Sequence, residues 1–207
     1  RLINSEYMFT TCYQLTEIKF NENTRTENLE KMSSMFQDCS VLKYINTKIF
    51  KTLKLTDLNY VFSNCKYLKE LNLSNFNTKN IKELIGTFRF CNNLVNLDLS
   101  NFDTSKVTNM SNMFYYCSNL KEINFGNINT SSLEDMSSLF FECSNLTFID
   151  LSNIDTSVCG KISRIFKGCT SLISLDISNF NTSKIEDMSE MFYQCSSLKS
   201  LNLSHFD

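Results

Sequence analysis

Cysteine recurs at a constant interval along most of this 207-residue chain, and that interval constrains the fold more than any other feature. The spacing is 26 residues through seven of the cysteines, and Cys12 precedes the first of them by 27. The seven are Cys39, Cys65, Cys91, Cys117, Cys143, Cys169 and Cys195. Eight repeats, of which the outer two are incomplete, account for the chain. A period of this length is typical of solenoids, in which each unit buries its apolar face against its neighbours.

Each repeat contains a short segment whose apolar residues alternate as they do in a β-strand. In Leu94-x-x-Leu97-x-Leu99 the alternation predicts a strand with Leu97 and Leu99 facing inward and Asp98 facing outward. Stacked repeats bring such strands side by side, about 4.8 Å apart. We therefore expect one continuous parallel sheet along one side of the molecule.

A second segment of each repeat shows helical spacing. Its apolar residues Val107, Met110, Phe114 and Cys117 fall at i, i+3, i+7 and i+10, which predicts a helix of about three turns. The hydroxyl of Thr104, or of the serine after it, is suited to capping the start of this helix. The threonine recurs as Thr52, Thr78, Thr130, Thr156 and Thr182. We expect the helix to begin at the same place in every repeat.

Together these signatures predict an α/β repeat fold. We expect a leucine-rich-repeat solenoid of about eight 26-residue coils, with a parallel sheet on one side and short helices on the other. In one respect the repeat departs from the ordinary leucine-rich class, which places Asn or Cys three residues after the last strand leucine. This chain has apolar residues there, namely Phe50, Phe76, Phe102, Ile128, Ile154, Phe180 and Phe206. We expect an aromatic ladder in place of the usual buried Asn ladder.

The residues of the repeat also resemble one known family. Met-Ser-x-Met-Phe-x-x-Cys-Ser-x-Leu, followed by Leu-Asp-Leu-Ser-Asn-Phe-Asp-Thr-Ser, is similar to the BspA-type leucine-rich repeat of surface proteins from mycoplasmas, other bacteria and some protists. The match is closest at 97–120, 136–157 and 175–198, and it covers nearly the whole chain. The resemblance implies a binding protein, often an adhesin, that is exposed on the cell surface or secreted. We expect residues 1–207 to form a single solenoid domain and to be a segment of a longer protein.

Charge and composition exclude several classes of function. Lysine and arginine number 20 against 22 aspartates and glutamates, and this net charge of −2 disfavours binding to nucleic acid or to anionic membranes. No stretch of 18 apolar residues occurs, so we expect no direct insertion into a membrane. The only histidine is His205, and no glycine-rich phosphate loop or H-E-x-x-H motif is present. The sequence therefore predicts a protein that is not an enzyme and that needs no cofactor.

The cysteine column has three interpretations. The first is a row of reduced thiols buried in the core, because the cysteines share the apolar face and Cys159 stands where other repeats have Val107 or Leu133. Disulfides between adjacent coils are the second, since the spacing of about 5 Å permits them. The third is a metal site, which we do not expect because one cysteine per coil does not converge on an ion.

A polar column lies on the outward side of the predicted strands and supplies five candidate binding residues. They are Asn72, Asp98, Asn124, Asp150 and Asp176, and the column continues at Asn46 and Asn202. One interpretation is a strip that contacts a ligand. A second is a weak calcium site, although one carboxylate per coil supplies few of the six to eight oxygens that calcium takes. The third is an Asn/Asp ladder that solvates the sheet and hydrogen-bonds along itself.

The two positions between the recurring Phe and Cys vary most from coil to coil, and divergent positions are free to serve a partner. In three successive coils they hold Arg89, Phe90, Tyr115, Tyr116 and Phe141. Aromatic side chains with arginine carry much of the energy of protein interfaces. We predict that these five residues form a binding patch; the alternative is that the rings pack between coils as a wider core.

Two functional hypotheses follow from the sequence. The first is a protein-binding repeat module of a surface or secreted protein, acting in adhesion or recognition, with an intracellular scaffold as a variant. The second is a structural protein whose partners are neighbouring copies of itself, stacked into a filament or lattice through the uncapped ends of the sheet.

Overall fold

A computed structural model of the protein describes residues 2–21 and 23–206, so Arg1, Glu22 and Asp207 lie outside the described part. Four short strands occur in it, β1 (Glu17–Ile18), β2 (Tyr44–Ile45), β3 (Asn96–Asp98) and β4 (Glu122–Asn124). The described residues form a single 3-10 helix, Thr47–Ile49. No α-helix is formed by the described residues.

The strands pair in parallel between adjacent coils, as the sequence predicts. β3 pairs with β4 so that Leu97 lies opposite Ile123, which is one 26-residue repeat further along. Among the described residues the ladder is not continuous, because only β1–β2 and β3–β4 form sheets. The extended stretch is short because the chain turns directly after it: the backbone N–H of Ser100 donates to Asp98 Oδ1 at 2.9 Å. The continuous sheet predicted above is thus reduced to short paired segments.

The predicted helices are replaced by a column of β-turns, and this is the main correction to the sequence analysis. The N–H of Met113 donates to Met110 O at 3.2 Å, and that of Cys117 donates to Phe114 O at 3.0 Å. The third residue of each turn, Asn112 and then Tyr116, has a φ of 58°. Positive φ at this position is the geometry of a type II turn and is incompatible with an α-helix.

The remaining backbone N–H groups of this segment point to the neighbouring coil. Asn112 N donates to Ser137 O at 3.0 Å and Phe114 N donates to Leu139 O at 3.0 Å. Isolated parallel bridges, such as Asn109 with Asp135, extend this ladder from coil to coil. The spacing i, i+3, i+7 marks a buried face but does not say where the backbone bonds go. Here they join coils instead of closing helical turns.

The core consists of parallel columns, one residue from each coil. Its centre is a stack of eight phenylalanine rings with successive centroids 5.6 to 6.0 Å apart and nearly parallel planes. The rings are Phe9, Phe36, Phe62, Phe88, Phe114, Phe140, Phe166 and Phe192. The other column, in which an aromatic ladder was expected, is also buried at Phe50, Phe76 and Phe102. There, one pair of its members, Phe50 and Phe76, is in ring contact.

The recurring threonine also has a different role from the predicted helix cap. Buried Thr104 donates its hydroxyl to Asn129 O at 2.7 Å and accepts the N–H of the same residue at 3.0 Å. Thr130 bonds Asp155 of the following coil in the same way. Because these hydroxyls satisfy both backbone groups of one residue in the next coil, the threonine column links adjacent coils by hydrogen bonds.

Candidate functional site

The five candidate aromatic and arginine residues come together on one surface, which we name the aromatic cluster. The guanidinium carbon of Arg89 lies 4.9 Å from the ring centroid of Phe90 and 4.7 Å from that of Tyr115. The Tyr115 ring stacks on Phe141 with centroids 4.4 Å apart, and Tyr116 lies 5.3 Å from Phe90. Three successive coils therefore contribute to a single set of ring contacts, and the Arg89 cation packs against two of the rings.

Exposure differs among the members of the aromatic cluster. Phe141 is buried, Phe90 and Tyr115 are half-buried, and Tyr116 is exposed at 36% of its surface. The rings thus pack between coils, as the alternative interpretation holds, and the cluster also presents an aromatic edge to solvent. That this edge binds a partner stays a prediction.

The aromatic cluster extends beyond the predicted residues. The ammonium group of Lys167 lies 5.5 Å from the ring centroid of Phe141 and 4.7 Å from that of Tyr193. Lys167 also pairs with Glu190, whose second partner is Arg164 at 3.2 Å. The sequence could have predicted this extension. Lys167 and Tyr193 stand two residues before Cys, as Phe141 does, in the next two repeats.

One buried polar atom of the aromatic cluster has no partner. Arg89 Nε is buried and makes no hydrogen bond among the described residues. Such an unsatisfied donor costs about 1–3 kcal/mol, which the two cation–π contacts partly offset. Local costs of this kind concentrate at functional sites rather than in ordinary cores.

The polar strand column serves first as a row of turn-formers. Each side-chain oxygen accepts the backbone N–H two residues later, as Asn72 does from Ser74 at 3.0 Å and Asp150 from Ser152 at 2.9 Å. This Asx-turn geometry explains why Asn and Asp alternate freely, since both offer the same acceptor. One hydrogen bond joins two members of the column to each other, from Asn124 Nδ2 to Asp98 Oδ1 at 3.1 Å.

Three members of the column also line an open groove of about 600 Å³ on the strand face. They are Asn72, Asp98 and Asn124. Asp150 lines a smaller adjoining depression that also includes Asn124, and Asp176 lies one coil beyond it. Hydrogen bonds from Ser100 lower the pKa of the Asp98 carboxyl, and the backbone N–H groups of Ser152 and Ser178 lower the pKa values of Asp150 and Asp176. The column therefore carries three ionised carboxylates at neutral pH.

Most thiols of the cysteine column are buried and unreactive. All nine thiols are unpaired, seven of them are buried, Cys195 is half-buried and Cys12 is exposed. Burial raises the pKa of the Cys39 thiol to about 11 and that of Cys91 to about 12. Each thiol of the 26-residue column from Cys39 to Cys195 donates to the carbonyl of a stacked phenylalanine, as Cys117 does to Phe88 O at 3.0 Å, whereas Cys159 donates to Glu134 O at 3.4 Å. Among the described residues, no group of three or more His, Cys, Asp or Glu is arranged to hold a metal ion.

The repeat matches one family over most of its length. The family described as "Mycoplasma protein of unknown function, DUF285" matches residues 30–124 and 117–207, and the "BspA type Leucine rich repeat region (6 copies)" matches residues 3–56. The chain belongs to the first of these families. The resemblance to the BspA-type leucine-rich repeat is confirmed, and neither description names an enzyme. No sequence among curated proteins matches this DUF285 chain.

Solved structures of bacterial leucine-rich-repeat proteins are similar to this DUF285 chain. A leucine-rich-repeat protein from T. pallidum is 20% identical with a TM-score of 0.57, over 82% of this chain and 71% of that one. A protein from Eubacterium ventriosum is 19% identical with a TM-score of 0.55, over 86% of this chain and only 43% of that one. These similarities show the leucine-rich-repeat fold. The described part has no helix that is long and apolar enough to cross a membrane.

Proposed function

We propose that this chain is a non-enzymatic, protein-binding repeat module of a surface or secreted protein, which acts in adhesion or recognition through the aromatic cluster. One observation carries the proposal: the positions that diverge most between coils are the ones whose side chains converge, around Arg89 and Tyr116. Tyrosine and arginine in partly desolvated clusters are the residues that dominate protein interfaces. The BspA-type resemblance supports the surface location.

A binding screen with matched variants tests this proposal. The purified chain is applied to an array of secreted proteins and receptor ectodomains, and saturable partners are measured by surface plasmon resonance. We expect Tyr116→Ser to weaken the partner's Kd by about tenfold or more, since interface tyrosines cost roughly 2 kcal/mol when truncated. Tyr13→Ser is the control, because Tyr13 is also exposed but lies outside the aromatic cluster. Equal binding by both variants would exclude the cluster as the interface, and the lack of any saturable partner would contradict the function.

Assembly into a filament or lattice stays a prediction from the sequence, as does the single domain over residues 1–207. Electron microscopy of the purified protein distinguishes assembly from the binding module, because only assembly yields ordered fibres. Biotinylation of intact cells of the source organism tests the surface location separately.

A further inference from the structure

A group of lysines with a tyrosine lies beside the strand segments and shares no residue with the aromatic cluster. Lys43, Tyr67, Lys69 and Asn93 line an open depression of about 460 Å³. Lys43 and Lys69 occupy equivalent positions one repeat apart, and so do Tyr67 and Asn93. We name these four residues, with exposed Lys66 beside them, the lysine patch.

The positive charge of the lysine patch is not neutralised within the described part of the chain. Lys43, Lys66 and Lys69 are all exposed, and none has an ion-pair partner among the described residues. The nearest acid in sequence, Glu70, lines the groove on the strand face instead of this depression. On a chain with a net charge of −2, two unpaired lysines that line one depression, with Lys66 next to Tyr67 in the chain, form a local site for an anion.

The backbone beneath the lysine patch is held by the core. The N–H of Leu68 donates to Cys65 O at 3.1 Å, and the N–H of Asn93 donates to Lys66 O at 3.1 Å. Leu68 and Cys65 are both buried. The side chains of the patch therefore project from a fixed turn and do not depend on a mobile loop.

The composition of the lysine patch fits a charged sugar. Lysine ammonium groups bind sulfate or carboxylate as point charges, and the Asn93 amide both donates to and accepts from hydroxyls. Tyr67 is exposed at 49% of its surface and offers a flat apolar face with a polar tip. Nucleic acid is a poorer fit, because tight binding to a phosphate chain needs more cationic contacts than three lysines make.

We propose that the lysine patch binds an acidic polysaccharide. The sulfate or carboxylate groups of the polysaccharide pair with Lys43 and Lys69, and a sugar ring lies on Tyr67. The open depression on an exposed edge lets a long chain pass without burying its ends. This site is independent of the partner proposed for the aromatic cluster, so the two proposals stand or fall separately.

Titration calorimetry with two probes tests the inference: heparin, which carries sulfate, and hyaluronate, which carries carboxylate only. We expect the double variant Lys43→Gln with Lys69→Gln, and separately Tyr67→Ser, each to weaken glycan binding by about tenfold. The matched control is Lys79→Gln with Lys82→Gln, which removes the same charge from exposed positions elsewhere and should bind as the parent does. Binding should weaken from about 50 to about 500 mM salt. Preference for one probe identifies sulfate or carboxylate as the recognised group.

Three outcomes would overturn the inference. The first is no binding to either glycan by the parent protein. The second is an equal loss in the control variant, which would mean that net charge alone attracts the probe. The third is binding to poly-L-glutamate as tight as to the glycans and unaffected by Tyr67→Ser, which would assign the patch to an acidic polypeptide. Unchanged thermal melting shows that the variants are folded, and Tyr116→Ser should leave glycan binding intact.

Discussion

Each buried cysteine of the 26-residue column fills a small apolar space and donates a hydrogen bond to the coil before it. Cys91 Sγ donates to Phe62 O at 3.2 Å and Cys143 Sγ to Phe114 O at 3.2 Å. The carbonyls belong to the stacked phenylalanines, so one residue pair links two columns of the core. An alanine would fill less space and a serine would bury a more polar group, which accounts for cysteine at this position.

Exposure separates Cys12 from the other thiols and corrects the expectation that the whole column is buried. We predict that Cys12 reacts rapidly with a thiol reagent in the native protein, while Cys91 and Cys117 react only after unfolding. Burial disfavours the thiolate, which is the reactive form. Pulsed alkylation followed by peptide mass spectrometry measures each site. Equal labelling rates at Cys12 and Cys117, or a disulfide between ladder cysteines, would contradict the buried-thiol assignment.

The raised thiol pKa values also predict the direction of pH dependence. An unfolded Cys91 ionises near 9.0, whereas burial raises the pKa in the folded state to about 12. Between those values the unfolded state has lost the proton and the folded state keeps it, so stability falls as pH rises above 9. The slope is at most about 1.4 kcal/mol per pH unit for each thiol. Urea unfolding at pH 7 to pH 10 measures it, and Cys91→Ala should show a shallower fall than the parent.

At the scale of elements, the sequence predicts which residues are buried better than it predicts backbone conformation. The inward placement of Leu97, Leu99 and Phe114 is confirmed. The prediction of a helix at 107–117 is wrong because successive turns bury the same i, i+3 and i+7 positions as a helix does. Two glycines in the sequence indicate the turns: Gly86 and Gly168 stand at the two repeat positions that have positive φ. The other coils hide this signal, because they place ordinary residues such as Asn112 and Tyr116 there.

Substitution of Asn112 distinguishes the turn column from a helix. In the turn, φ is 58°, so we predict that Asn112→Gly is neutral or stabilising and that Asn112→Val destabilises by about 1–2 kcal/mol. In a helix, Gly would cost about 0.5 kcal/mol more than Asn does. Chemical denaturation measures both variants. A clear loss of stability for Asn112→Gly with little effect for Asn112→Val would contradict the type II turn.

The threonine column permits a second test at this scale. Thr104→Val keeps the shape of the side chain and removes the hydroxyl that bonds both Asn129 O and Asn129 N. We predict a loss of about 2–4 kcal/mol, because two hydrogen bonds disappear and a backbone N–H is left unsatisfied. Thr104→Ser keeps the hydroxyl and should lose much less. If both variants melt alike, the loss comes from packing and the hydroxyl does not join the coils.

At the scale of the whole molecule, the columns of buried residues that run from coil to coil contribute more to stability than the surface ion pairs do. The described part contains three ion pairs, all at the surface, and such pairs contribute about 0–1 kcal/mol each. The phenylalanine stack, the thiols and the threonines instead repeat from coil to coil. The candidate site follows from the same repetition, because the 26-residue period by itself places Arg89, Tyr115 and Phe141 in neighbouring coils. The period also places Lys43 next to Lys69 in neighbouring coils, but the ring geometry and the depression that Tyr67 and Asn93 line with these lysines depend on the turns and were not predictable from it.

Because the contacts between coils join residues about 26 apart, the molecule should tolerate loss of a whole repeat and fail on loss of half of one. Deletion of residues 92–117 joins Cys91 to Ser118 and restores the natural Cys–Ser junction of the next coil. We predict a folded protein whose denaturant m-value falls by roughly an eighth, in proportion to the surface lost. Deletion of residues 92–104, half a repeat, shortens the separation of Phe88 and Phe114 by half and places Val107 and Phe114 out of register with the preceding coil. The half-repeat variant should lack cooperative unfolding. If it unfolded cooperatively and the full-repeat deletion did not, the stacking of coils could not be the basis of stability.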